Sequence, residues 1–358
     1  MTTTRRIGSS TTFPVSSTNT PKMSSVKVDE AGGISVVDFG SFLDGSRKQE
    51  VADAIVQSFK DIGFVYLINH GLAEAKVDSM FDWSKRFFAQ PMDVKMLAPH
   101  PTSGSHHRGY SAPGVEKVVN HIFDPEELKK RRAQAPDLKE NFECGREDDP
   151  VMPNIWLPDG VFPGFKEACM DFYWACHDVL EVNFLRALAL GLELSEDYFL
   201  QYHSKADNQL RLLHYPSVAA EKLKNEEVTR IGAHSDFGSL TFLFQDAVGG
   251  LEVEDPHSPG QFRGATPVPG AVIVNAGDFL QRWSNDTLRS TVHRVRAPPG
   301  LTSADGMTPE RYSIPYFCAP NFTTVVDCIP TTYSAERPKK YEPVSAAQYI
   351  IERLNANY

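Results

Sequence analysis

The pattern of apolar and polar positions divides the chain near residue 205. In the first part, "GISVVDFGSFL" predicts a strand at Ile34–Phe39. In "SRKQEVADAIVQSFKDIG", Val51, Ile55 and Phe59 recur at helical spacing, with Ser46 placed to cap the helix and Gly63 to end it. "FVYLINHG" reads as a short buried strand, and a second helix over Ala73–Ala89 stops before Pro91. Residues 100–122 hold the polar, Gly-rich "SGSHHRGYSAPG", read as a loop. A helix at Pro125–Ala133 and a strand in "KENFECG" follow. Phe165–Leu190 is apolar all round, which predicts one long buried helix.

After residue 205, short β-rich runs alternate with turn signals: "NQLRLLHYP", "TRIGAHSD", "SLTFLFQD", "GGLEVED", "GQFRGAT", "GAVIVNAGD", "STVHRVRAP" and "RYSIPYFCAP". Strands at this spacing predict a sandwich or barrel. A terminal helix lies in "SAAQYIIERLNA". The predicted fold is mainly β with flanking helices, an antiparallel barrel buttressed by a helical N-terminal region. The expected division is a disordered tail over 1–30, an N-terminal module over 31–150, and a long helix, barrel and terminal helix over 151–358. Residues 1–25 of the tail are about half Ser and Thr and lack acids. That composition overlaps with transit peptides, but without an amphipathic face it reads as disorder.

Composition narrows the partners. Net charge is −10, and the basic block Lys129-Lys130-Arg131-Arg132 sits among Glu126, Glu127 and Asp137, so it reads as a solvated helix face. No nucleic-acid partner is expected. The five cysteines are odd in number and contain no C-x-x-C, which predicts reduced thiols and a cytoplasmic protein. No apolar run reaches membrane-spanning length.

The candidate chemistry begins at "IGAHSDFGSL". Ser-Asp-x-Gly is ordinary turn chemistry, yet His234 and Asp236 can share one side of an extended chain. "STVHRV" offers His293 as a third ligand. Two histidines and one carboxylate with open positions suit non-haem Fe(II). Further on, Arg311 and Ser313 share a face of "RYSIPYF". A guanidinium with a hydroxyl beside it is a receptor for a carboxylate; a surface Arg in a hairpin is the plain alternative.

With these motifs in order, Ile34–Tyr358 resembles the 2-oxoglutarate- and Fe(II)-dependent dioxygenase superfamily, in its isopenicillin N synthase-like branch. The resemblance also rests on "VVDFGSFL…SFKDIGFVYLINHG" and "VIVNAGDFLQRWSNDTLRSTVHRV". More narrowly, "RGYSAPG", "GRED", "LRLLHYP" and "RWSNDTLRSTVHRV" are similar to fungal thymine 7-hydroxylases and tropolone-pathway oxygenases. Many relatives have Asn-x-Tyr where this chain has Leu213-His214-Tyr215; Tyr215 is kept.

The resemblance implies a double-stranded β-helix (jelly-roll) core. It also implies Fe(II) held by His234, Asp236 and His293. The cosubstrate 2-oxoglutarate would be held by Arg311, Ser313 and Tyr215. Oxygen would be used to hydroxylate or rearrange a small cyclic substrate, with succinate and CO2 formed, in fungal specialised metabolism. Strand alternation puts Arg211 and Leu213 on the face of Tyr215, and Phe317 on the face of Arg311. With Phe237 and Asn69 they are the candidate substrate contacts. His106, His107 and His257 read as solvated, and His214 as structural on the outward face. Three alternatives stay open: a pyrimidine methyl hydroxylase, an iron oxidase or desaturase without 2-oxoglutarate, and a non-catalytic binding protein on the same barrel.

Overall fold

In a computed structural model, described over residues 1, 29–103, 105–116, 137–225, 227–297, 300 and 302–354, two sheets face each other. The larger has nine strands in the order β1-β2-β3-β11-β8-β13-β6-β5-β4. In chain order these are β1 (Asp29–Ala31), β2 (Ile34–Asp38), β3 (Phe64–Ile68), β4 (Gly109–Ser111), β5 (Glu140–Cys144), β6 (Gln209–Tyr215), β8 (Leu240–Gln245), β11 (Val272–Ala276) and β13 (Arg311–Cys318). The smaller has four, β10-β9-β12-β7, formed by β7 (Ile231–His234), β9 (Leu251–Glu254), β10 (Phe262–Gly264) and β12 (His293–Val295). Strands β6, β13, β8 and β11 face the smaller sheet across an interior, which is the jelly-roll core. The remaining strands extend the large sheet on both sides.

Period-two alternation sorts each strand between two cores. On β6, Leu210 and Leu212 join the larger apolar cluster while Leu213 and Tyr215 join the smaller one between the sheets. On β11, Val272 and Val274 go one way and Ile273 the other. Helices cover the first face. Helix α1 (Lys48–Asp61) buries Val51, Ile55 and Phe59; α2 (Glu74–Phe88) follows. The long helix is α3 (Phe165–Ala175), a π-helical turn (Cys176–Glu181) and α4 (Val182–Gly191). A short α5 (Asp278–Trp283) and a C-terminal α6 (Ala346–Leu354) complete the frame.

Three local expectations change. Ser46 does not cap α1: the helix has no side-chain cap, the Ser46 hydroxyl turns to Ser41 O at 3.5 Å, and Arg47 instead grips first-turn Glu50. The loop at 100–122 contains β4, whose backbone pairs with β5. The long helix carries a π-helical turn that apolar periodicity cannot signal. The tail at 1–30, apart from Met1 and its last two residues, and the helix at Pro125–Ala133 with its basic block lie outside the described residues. All five cysteines are free and buried, and no described helix is long and apolar enough to cross a membrane.

Candidate active site

His234 ends β7 and His293 opens β12, and the two strands pair with these residues directly opposite each other. Their rings lie 4.3 Å apart between centroids. Asp236 follows on the loop after β7, with its Oδ1 3.9 Å from His234 Nε2 and 3.6 Å from His293 Nε2. The ligand atoms all fall within 4.8 Å of one another.

Hydrogen bonds prepare these atoms. His234 Nδ1 faces Gly232 O at 2.9 Å and His293 Nδ1 faces Thr291 O at 3.1 Å. A carbonyl only accepts, so each Nδ1 carries the proton and each Nε2 presents a lone pair. Asp236 Oδ2 accepts from Thr241 Oγ1 at 2.5 Å and Asn275 Nδ2 at 2.7 Å, which leaves Oδ1 for the histidines. Burial and the neighbouring His293 push the His234 pKa down to about 4, against the pull of Asp236. Burial would raise the Asp236 carboxyl, but both histidines and the two hydrogen bonds hold it below the usual range. At neutral pH His234 is therefore a neutral imidazole and Asp236 a carboxylate, the protonation a divalent cation needs of them.

The loop carrying Asp236 is clamped by the "AGD" after β11. Asp278 N donates to Asp236 O at 2.8 Å, Gly277 N to Ser239 O at 3.0 Å, and Ser235 Oγ to Asp278 Oδ2 at 3.1 Å. A side chain at Gly277 would stand 2.3 Å from Gly238 O, so only glycine lets the segments approach this closely.

One cavity joins the triad to the interior of the large sheet. Arg311, Ser313, Tyr215, Leu213, Arg211, Phe237 and Phe317 all line it. Arg311 pairs across the ladder with Tyr215, and Ser313 with Leu213. The Arg311 guanidinium is buried and held by neutral acceptors: Gly249 O at 2.7 Å, Ser313 Oγ at 3.0 Å and Gln245 Oε1 at 3.3 Å. Phe317 sits six residues along β13 from Arg311, about 20 Å of extended strand, so the cavity has two ends.

At the second end, the Arg211 guanidinium lies 5.5 Å over the Phe317 ring. Its charge is already engaged: it meets Glu116 at 3.1 Å and also pairs with Glu143. Lys139 pairs with Glu116 as well. Burial opposes the Glu116 charge, but Arg211 and Lys139 hold its carboxyl far below the usual range. His100 and His107 each stand 3.9 Å from Glu143. Two histidines and a carboxylate thus gather a second time, but here the cation is Arg211 itself.

Two expected placements fail. Asn69 does not line the cavity: it is an exposed turn residue with φ 51° whose amide donates to Asp38 at 3.0 Å. His107 is not solvated but fully buried and lines the cavity, with Nε2 3.4 Å from Leu354 O. Burial pushes its pKa down to about 4. His214 faces outward as expected, stacked on Tyr312 and bonded to Glu140 at 2.7 Å. Thr241, Asn275 and Glu116 were not anticipated. The first two had a signal: each is a polar residue set among apolar neighbours in its strand.

Comparison with known proteins agrees with this geometry. Residues 206–320 match the 2OG-Fe(II) oxygenase superfamily, and residues 34–159 match the N-terminal family of non-haem dioxygenases in morphine synthesis. The chain is 38% identical to the proline hydroxylase buaE of Petromyces alliaceus, over 90% of this chain and 98% of that one. It is 36% identical to the 2-oxoglutarate-dependent dioxygenase gloF of Glarea lozoyensis, over 91% and 99%. The Neurospora crassa thymine 7-hydroxylase solved with alpha-KG and thymine superposes with a TM-score of 0.81 at 43% identity, covering 92% of this chain and 100% of that one. The chain belongs to the 2-oxoglutarate- and Fe(II)-dependent oxygenase superfamily.

Proposed function

We infer that the chain hydroxylates, or oxidatively rearranges, a small cyclic molecule, with His234, Asp236 and His293 as the iron ligands. Arg311, Ser313 and Tyr215 receive the distal carboxylate of 2-oxoglutarate. The observation that carries the reading is that one cavity holds both the prepared triad and a buried Arg311 bonded, among the described residues, to neutral groups only. When bound, iron, oxygen and 2-oxoglutarate supply the oxidising chemistry, with decarboxylation to succinate. The chain's own part is positional. Thr241 and Asn275 aim Asp236, Arg311 and Ser313 fix the cosubstrate's far end, and Phe317 with Arg211 presents a flat ring and a cation to a planar substrate. Leu213 and Phe237 supply apolar wall. The polar end balances Arg211 and Lys139 against Glu116 and Glu143, which favours an uncharged substrate carrying both donors and acceptors.

The fungal relatives support a place in specialised metabolism, and the composition supports a cytoplasmic protein without a nucleic-acid partner. A second reading, oxidation of a pyrimidine methyl group, is favoured by the Arg211–Phe317 pair and by the likeness to a thymine-bound structure. The test is aerobic incubation of the Fe(II)-loaded protein with 2-oxoglutarate and a panel of pyrimidines and small aromatic and heterocyclic compounds. The expected result is succinate in a one-to-one ratio with one oxygenated product. Turnover of thymine alone would select the second reading. Oxidised product without succinate would replace both by an iron oxidase.

A further inference from the structure

Buried cations in this protein follow a rule with two exceptions. Among the described residues, buried Lys95 meets Glu140 at 2.7 Å, Arg108 meets Asp149 at 3.2 Å, and Lys139 and Arg211 share Glu116. Pairing is what makes burial of a charge tolerable. Arg230 and Arg311, each 1% exposed, meet no described carboxylate within ion-pair distance. Both lie on the same ring: the Tyr215 centroid is 4.9 Å from the Arg311 guanidinium carbon and 5.9 Å from that of Arg230.

Arg230 is the less satisfied of the two. Its Nη2 donates to Pro309 O at 2.7 Å, while its buried Nε and Nη1 have no hydrogen-bond partner among the described residues. Burial and the charge of Arg311 push its pKa down to about 10, and Asp246 offsets this only in part. Arg230 does not line the cavity; the next residue, Ile231, does. The Arg230 charge therefore acts from behind the wall that Tyr215 and Ile231 form.

We propose that Arg230 is a positioning residue for the cosubstrate: a second, unpaired cation that raises the affinity of the Tyr215–Arg311 end for a ligand carrying a distal carboxylate. The inference rests on the cosubstrate site proposed above. Free, this end carries two buried positive charges on one aromatic ring. A bound distal carboxylate offsets them, so a cost present in the empty protein is relieved on binding. A neutral chain end offers no such relief. Arg230 thereby selects 2-oxo acids by the charge at their far end.

The experiment compares two probes on the anaerobic Fe(II)-loaded full chain. One is 2-oxoglutarate; the other is 2-oxopentanoate, of the same length without the distal carboxylate. Dissociation constants and the ligand-induced rise in melting temperature are measured for wild type, Arg230→Met, Arg230→Gln and Arg230→Lys. Acting through an effective dielectric of about 20, a charge about 12 Å from the carboxylate, beyond the Tyr215 ring, is worth about tenfold in affinity. Arg230→Met and Arg230→Gln should therefore bind 2-oxoglutarate about tenfold more weakly and 2-oxopentanoate within twofold of wild type. Arg230→Lys should keep most of the affinity. Without ligand, the neutral variants should melt no lower than wild type. Equal weakening toward both probes, or none toward 2-oxoglutarate in whichever neutral variant folds, overturns the inference. Arg311→Ala separates the two claims: unchanged 2-oxoglutarate affinity there overturns the cosubstrate site itself, whereas a large loss there with none at Arg230 overturns only the role of Arg230.

Discussion

The side-chain amide of Asn275 donates to Asp236 Oδ2 at 2.7 Å, from the middle of the large sheet to the loop that follows β7. With Thr241 it fixes which oxygen of Asp236 faces the histidines. Partners of this kind usually contribute 10- to 100-fold to metal affinity.

Asn275→Ala should therefore weaken Fe(II) binding by about that factor while the fold persists. Anaerobic metal titration checks it. Thr241→Val should act in the same direction, and the two effects should be less than additive, because both act through one oxygen. Wild-type iron affinity in Asn275→Ala would remove its role in aiming Asp236.

Arg211 needs a different test from a simple truncation. Arg211→Ala would leave Glu116 and Glu143 without their shared cation, and breaking a buried pair costs about 3–5 kcal/mol. Arg211→Ala should thus melt well below wild type. Adding Glu143→Gln should recover much of that loss. In the recovered variant, 2-oxoglutarate binding should be intact and succinate should form without matching substrate product. Full coupling would make Arg211 a structural ion-pair partner only.

His107 supplies a pH dependence. The folded protein keeps it neutral down to about pH 4, whereas an unfolded histidine takes up its proton near 6.5. Unfolding thus binds a proton in that window, and stability falls as pH drops from 6.5 towards 4. The slope is up to about 1.4 kcal/mol per pH unit. Replacing His107 by Gln should remove up to one proton from that slope; His100, lowered by burial in the same way, still contributes. Urea unfolding at several pH values measures it. An unchanged slope would place His107 in contact with water.

Strand alternation made much of the site legible. Arg211, Leu213 and Tyr215 on β6 and Arg311, Ser313 and Phe317 on β13 line the cavity because period two leaves each strand one choice of face, and the apolar pattern makes that choice. Loop residues have no such period. His107 and Glu116 lie in or beside a Gly-rich polar run, where composition predicts solvent, and only the packing of that segment over the cavity buries them. Asn69 failed for a related reason. A side-chain amide suits a ligand or a left-handed turn equally well, and its φ of 51° decides for the turn. Arg230 was invisible as a special residue until the ion pairs of the other buried cations were in view.

The assignment of His234, Asp236 and His293 as the iron ligands is tested most directly by the iron content of the three triad variants. Wild type and His234→Ala, Asp236→Ala and His293→Ala are loaded anaerobically with Fe(II), freed of unbound metal, and assayed for iron per chain and for succinate formed on admitting oxygen and 2-oxoglutarate. These side chains face a cavity rather than a packed core, so circular dichroism should stay that of wild type. About one iron per chain is expected in wild type, with little iron and no succinate in each variant. Full iron content together with wild-type succinate formation in any one of the three would contradict the assignment.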